Sequence, residues 1–153
     1  MIVESYSDQY VDDVHRLINE FYRESLKEFG MEVDEFILMS TIESMKQQCT
    51  GNGYTGGFLA IIDGKAEGLL AGKEVKTPWS KDRIWHEVVW FMTERYRKYG
   101  VKLLNIARQK LKEQGFAAMV MVHTQNNKTD KLARLYERLG FKPMETNYIG
   151  RLT

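Results

Sequence analysis

Four cationic side chains, Arg95, Arg97, Lys98 and Lys102, surround Gly100 in the stretch ERYRKYGVKLLNIARQKL, residues 94–111. Cations around a glycine at the start of an amphipathic helix point to anion binding, a phosphate above all. The first-turn N–H groups of a helix lack intrahelical partners and carry its partial positive pole, and a glycine there lets an anion approach the main chain. The same residues also make an ordinary strand-to-helix turn with solvated lysines, so the stretch alone leaves both readings open. Metal chemistry has no comparable support, because His15 and His123 lack a cysteine or carboxylate at ligand spacing; no metal is expected. Cys49 is the single cysteine, which excludes an intramolecular disulfide and fits a reducing compartment.

The elements that must position this turn follow from hydropathy and turn residues. MIVESY reads as a first strand. Ser7 or Asp8 can cap a first helix whose apolar residues Val11, Val14, Ile18 and Phe21 recur every three or four positions. Asp34 opens a second helix, carrying Phe36, Ile37, Ile42 and Met45 as far as Gln48. After the glycine-rich CTGNGYTGG, two β-prone runs flank Asp63-Gly64, the strongest short hairpin signal, so strands two and three are expected to be antiparallel. RIWHEVVWFM reads as a fourth strand, buried on both faces because Val88 to Met92 is an unbroken apolar run.

A helix from Gly100 to Gly115, with Val101, Leu104, Ala107 and Leu111 on one stripe, then leads to a fifth strand, FAAMVMVHT. Asn127 and Asp130 suggest a capping box for a last helix with Leu132, Leu135, Tyr136 and Leu139 on its apolar stripe, ended by Gly140. FKPMETNYIGRL reads as one or two closing strands. The expected fold is a mixed α/β one: a mostly antiparallel sheet of six to seven strands, four helices and one parallel strand-helix-strand crossover at residues 83–122.

Size and charge limit the partners. A chain of 153 residues with 43% hydrophobic residues, 28% charged residues and a formal charge of +1 reads as a globular chain without the charge excess of a nucleic-acid-coating protein. A single domain spanning residues 1–153 is expected, with no nucleic-acid partner. The start MIVESYSDQY lacks a basic segment followed by an apolar run, and no stretch approaches the ~18 apolar residues of a membrane span. The expected location is the cytoplasm, without membrane contact, and the edge strands allow a homodimer.

With this order of elements, the sequence resembles the GCN5-related N-acetyltransferase (GNAT) family. That family carries Q/R-x-x-G-x-G/A where strand four enters helix three, and this chain reads Arg97-Lys98-Tyr99-Gly100-Val101-Lys102. EVVWFMTERYR, residues 87–97, looks like the family's fourth strand and basic turn, and LYERLGF, residues 135–141, is similar to its last-helix motif. KPMETNYIGRL looks like the closing strands of compact phage-encoded members. Two positions depart from the pattern. Lys102 stands where a second Gly or Ala is usual, and Thr129 replaces the asparagine that often opens the last helix, with Asn126 and Asn127 just before it.

The resemblance implies an N-acetyltransferase that moves an acetyl group from acetyl-CoA to a primary amine by direct attack, with the cosubstrate lying where strands four and five splay apart. It implies that the amides and cations of Arg97, Lys98, Tyr99, Gly100, Val101 and Lys102 grip the pyrophosphate. Main-chain groups of Met92 and Thr93 would pair with the pantetheine arm, Asn127 would contact it, and the Met92 amide would polarise the acetyl carbonyl. A lysine-like amine of pKa ~10.4 also needs a base. Glu87 and His86 are the candidates; adjacent residues of a regular strand face opposite ways, which puts His86 with Trp90 and Met92. Glu87 is preferred because it begins the matching stretch. Tyr136, at the tyrosine of LYERLGF, would protonate the departing thiolate.

Phe21, Tyr22, Phe29 and Trp79 would border the acceptor, either a small-molecule amine or a protein lysine or N-terminal amine. The alternative is a non-catalytic structural or interaction module, virion or regulatory, whose acyl-CoA site has degenerated at Lys102 and at the missing asparagine.

Overall fold

Asp63 and Gly64 both take positive φ, 51° and 77°, as the central residues of a tight hairpin turn that matches the twist of its strands. They join β2 (Tyr54–Ile62) to β3 (Lys65–Val75), which pair antiparallel as the sequence predicts. The computed structural model describes residues 1–45, 54–123, 129–148, 150 and 152. They fall into two compact units, Met1–Val122 and His123–Thr153.

The first unit is built on one sheet of five strands in the order β1-β2-β3-β4-β5. β1 (Ile2–Ser5), β2, β3 and β4 (Ile84–Met92) pair antiparallel in sequence, and β5 (Ala118–Val120) lies parallel to β4. Parallel neighbours need a crossover, here α3 (Gly100–Glu113), which packs on β2, β3 and β4. α1 (Val11–Ser25) and α2 (Glu35–Ser44) cover the other face. Val14, Leu17, Leu38, Ile42 and Met45 pack there on Leu59, Ile61, Leu69, Ala71, Val89 and Phe91.

Several local expectations change. Neither Ser7 nor Asp8 caps α1; a 3-10 turn, Asp8–Tyr10, precedes it, and Ser7 makes no side-chain cap bond. Asp34 does cap α2, accepting from Ile37 N–H at 3.0 Å. The buried stripe of α2 is Leu38, Ile42 and Met45, while Phe36 is 82% and Ile37 63% exposed. β5 has three residues, shorter than the apolar run around it. Among the described residues of 141–152 no strand forms, so the sheet has five strands, not six or seven.

The second unit holds α4 (Thr129–Arg138). Its end follows the glycine signal. Gly140 takes φ 86°, and the N–H groups of Gly140 and Phe141 reach back to the carbonyls of Glu137 and Tyr136, each at 3.0 Å. This is the paired bonding that satisfies the last carbonyls of a helix. Gly115 ends α3 in the same way, with Phe116 N–H on the Leu111 carbonyl at 3.1 Å. Among the described residues no helix is long and apolar enough to cross a membrane.

Candidate active site

β4 outruns β5. The two strands are in register at Ile84↔Ala118, Trp85↔Met119 and His86↔Val120 and at no later pair, although β4 continues to Met92. The chains part there, leaving one edge of residues 87–92 without a strand partner among the described residues. On its other edge β4 stays paired with β3, but the register shifts: Gly72 faces Glu87 and Ala71 faces Val89, leaving Val88 as the extra residue of a bulge. Val88 is accordingly 36% exposed, so β4 is not buried on both faces throughout.

The bulge reverses the side-chain alternation, which settles where the two base candidates point. Beyond it, Val89 and Phe91 join the core under α1 and α2, while Trp90 and Met92 turn to α3 near Gly100. Glu87, paired with Gly72, lies on the face of Trp90 and Met92. His86 faces the opposite way. The placement of His86 with Trp90 and Met92, drawn from regular alternation, is therefore corrected.

Glu87 is 6% exposed, and its Oε2 accepts from Val122 N–H at 2.8 Å. Burial pushes its carboxyl up from 4.5 to about 7, and the Val122 hydrogen bond opposes that rise. A carboxyl of this kind is divided between acid and base near neutrality. His86 Nδ1 lies 2.8 Å from the Glu87 carbonyl. A carbonyl only accepts, so Nδ1 carries the hydrogen and Nε2 is the other ring position. Arg83, at the start of the stretch, grips Glu74 with two hydrogen bonds, 3.0 and 3.2 Å, and the Gln114 carbonyl at 2.6 Å.

At the end of β4, Met92 and Thr93 separate. Thr93 N–H donates to the Glu67 carbonyl at 2.9 Å and its hydroxyl to Glu67 Oε2 at 2.9 Å, while its carbonyl accepts from Tyr96 N–H at 2.9 Å. Thr93 is thus turned to β3 and its own turn, contrary to its expected pairing with a pantetheine arm. Since successive peptide groups of a strand point to opposite neighbours, the Met92 N–H points to the edge that β5 has left.

The basic turn is a 3-10 helix, Glu94–Tyr99, running into α3. Gly100 has φ −57° and ψ −43°, ordinary right-handed helical angles, and its N–H donates to the Arg97 carbonyl. The expectation that its N–H helps grip a pyrophosphate is corrected. Val101 and Lys102 stand in the first turn of α3. Arg97 is held by Glu24 of α1 at 2.7 Å, with both side chains about two-fifths exposed (39% and 42%). Lys98 Nζ sits 5.2 Å from the centre of the Tyr99 ring, and Tyr99 stacks on Tyr96 with centroids 6.4 Å apart. Lys102 is exposed.

A Cβ on Gly100 would meet Met92 Cγ and Trp90 Cζ2 at 3.5 Å, ordinary contact. Gly100→Ala is therefore expected to fold, with stability unchanged or raised by up to ~1 kcal/mol because alanine restricts the unfolded chain. Urea unfolding checks this, and a clear loss of stability would show that glycine is required there for folding.

In the second unit, Tyr136 is buried on α4. Its ring meets His123 edge-on, centroids 6.3 Å apart, and Phe141 at 5.7 Å. The His123 Nδ1 is buried without a hydrogen-bond partner among the described residues. Asn127, the remaining expected contact, lies outside the described residues, as does Asn126. His15 gains a carboxylate after all, Glu35 at 2.7 Å, twenty positions away. Phe21 packs on Phe91 at 6.3 Å, and Trp79 is 83% exposed.

Glu24 and Glu67, which hold Arg97 and Thr93, escaped the sequence reading because their partners lie far along the chain. Only an acidic residue at each helix or strand end marked them.

A profile of the acetyltransferase (GNAT) family matches residues 11–141. A comparison with curated proteins found no match. Among solved structures, AAC(6')-Iy in complex with the bisubstrate analogue CoA-S-monomethyl-acetylneamine superposes with a TM-score of 0.74 at 14% identity, covering 99% of this chain and 97% of that one. A ribosomal-protein-alanine N-acetyltransferase from Brucella melitensis biovar Abortus 2308 gives 0.73 at 16% identity, with 99% and 98% covered. The aminoglycoside acetyltransferase meta-AAC0020 from an uncultured soil metagenomic sample, in complex with sisomicin, gives 0.68 at 17% identity, with 99% and 96% covered. These likenesses show the fold.

Proposed function

Since the chain belongs to the acetyltransferase (GNAT) family, we propose that it transfers an acetyl group from acetyl-CoA to a primary amine, the nitrogen attacking the thioester carbonyl directly. The observation that carries this reading is Glu87, a buried carboxyl with its pKa raised to about 7, beside the gap between β4 and β5. An ammonium group cannot attack. Glu87 takes its proton, directly or through a water, while Oε2 stays on Val122 N–H. Glu87, not His86, is the base in this reading, because it shares the face of Trp90 and Met92.

The outward Met92 N–H donates to the carbonyl oxygen as negative charge develops there. The amides of Val101 and Lys102, with the cations of Lys98 and Lys102, hold the pyrophosphate; Arg97 joins them by exchanging Glu24 for the phosphate. As the C–N bond forms, the C–S bond breaks and its electrons leave on sulfur. Tyr136 then gives its phenolic proton to the thiolate, since a phenol of pKa ~10 and a thiol near 8.5 lie close enough for the transfer, and the extra proton shed by the new amide nitrogen restores the phenol. The amine class is supported by the CoA-acetylneamine analogue and by the ribosomal-protein-alanine acetyltransferase among the similar structures.

The test combines binding and turnover. At a hundredfold excess over its dissociation constant, acetyl-CoA stabilises by ~2.7 kcal/mol, a Tm rise of roughly 5–10 °C. Tyr136→Phe is expected to keep that rise and to lose about 10²–10⁴-fold in kcat for thiol release with an amine panel. Unchanged kcat in Tyr136→Phe removes the assigned acid. No Tm rise at millimolar acetyl-CoA removes the enzyme reading in favour of a non-catalytic module.

A further inference from the structure

Where two paired strands part, their main-chain N–H and C=O groups lose each other and must find partners, because a buried polar group left unsatisfied is costly. The parting of β4 and β5 begins just after His86↔Val120. Just beyond that pair, one main-chain group on each side is taken by a side chain of β4. The Glu87 carbonyl accepts from His86 Nδ1, and the Val122 N–H donates to Glu87 Oε2, each at 2.8 Å. Val88 follows at once as the extra bulge residue, which turns the strand.

We propose that His86 and Glu87 are a wedge that props β4 and β5 apart, so that Glu87 builds the slot as well as serving as its base, and His86 is a positioning residue. In this arrangement the paired polar side chains have distinct tasks. His86 occupies a β4 carbonyl and Glu87 occupies the amide of Val122, two residues past the end of β5, so the two edges have nothing to gain by closing on each other. Use of the slot for acyl-CoA rests on the reading above; the wedge itself does not.

The wedge is tested by amide hydrogen exchange at Val122 and by calorimetric titration of CoA into wild type, Glu87→Gln and Glu87→Ala. A glutamine oxygen can still accept from Val122, so Glu87→Gln is expected to keep Val122 protected and CoA affinity within about threefold. Glu87→Ala is expected to expose Val122 to exchange and to weaken CoA at least about tenfold. Wild-type protection and CoA affinity in Glu87→Ala would overturn the wedge, as would a Glu87→Gln protein that loses as much as Glu87→Ala.

Should Glu87→Ala fail to fold, His86→Ala carries the test. It is expected to raise KM for acetyl-CoA while leaving the pH profile of turnover, set by Glu87, in place. An unchanged KM overturns the proposal. If wild type binds no CoA, the acyl-CoA reading fails, and Val122 exchange still decides the wedge.

Discussion

Between pH 4 and pH 8 the stability of Glu87→Gln relative to wild type is expected to shift by about 3 kcal/mol in favour of the variant. The sign follows from where the proton is held. Burial raises the folded-state pKa of Glu87 from 4.5 to about 7, so the folded protein binds this proton more tightly than the unfolded chain does. The stability that the protonated carboxyl contributes is full below about 4.5 and is lost as the pH rises through 7. Glutamine does not titrate. Its N–H groups can add a constant cost, but not a pH-dependent one, so the difference between the two urea-unfolding curves reports the carboxyl alone.

The same substitution is expected to lower kcat by about 10²–10⁴-fold and to abolish the rise of kcat/KM through pH 7. A relative stability that rises with pH together with loss of turnover is the pattern of a residue kept in an unfavourable place for chemistry. Parallel stability curves at all pH values would mean that Glu87 titrates as an ordinary surface carboxyl, and it would then have no advantage as a base at neutral pH.

Gly72→Ala is expected to cost ~3 kcal/mol or more, a fall in Tm of roughly 6–12 °C. A Cβ there would collide with the His86 carbonyl and come within 2.5 Å of the Trp85 ring. Trp85 is fully buried, and the carbonyl belongs to the backbone of β4, so neither can give way without moving the strand next to Glu87. Gly68 provides the control. Its Cβ would meet the thioether end of Met92, a flexible group that can change rotamer, and Gly68→Ala is expected to lose less. Thermal unfolding of both variants checks the comparison; equal losses would mean that β4 yields as easily as a methionine tip.

Much of the architecture can be read along the chain because its causes are local. Asp63-Gly64 makes the hairpin because both residues accept positive φ. Gly115 and Gly140 end α3 and α4 for the same reason. Asp34 caps α2 with a carboxylate three residues from the N–H it accepts. Where local signals competed they misled: Phe36 and Ile37 belong to the apolar pattern of α2 yet face outward, since the core beneath the helix accommodates Leu38, Ile42 and Met45 instead.

The residues of the proposed site stand together in EVVWFMTERYRKYGVK, which holds the strand, the carboxyl and the basic turn in one run. Its geometry was not. Val88 and Val89 are the same residue type, so the apolar run reads identically with or without a bulge between Glu87 and Val89, and the choice between Glu87 and His86 depends on that bulge. The burial that raises the Glu87 pKa, and the Val122 amide thirty-five positions away that holds its carboxylate, arise only when β5 returns beside β4. Likewise Glu24 reaches Arg97 across seventy-three positions. The sequence by itself determined which groups this protein has and which elements carry them, because propensity, capping and periodicity act over a few residues. The tertiary structure alone decided which carboxyl is buried, which way it points and which cations are already paired, because those depend on strand register and on contacts that form only between distant segments.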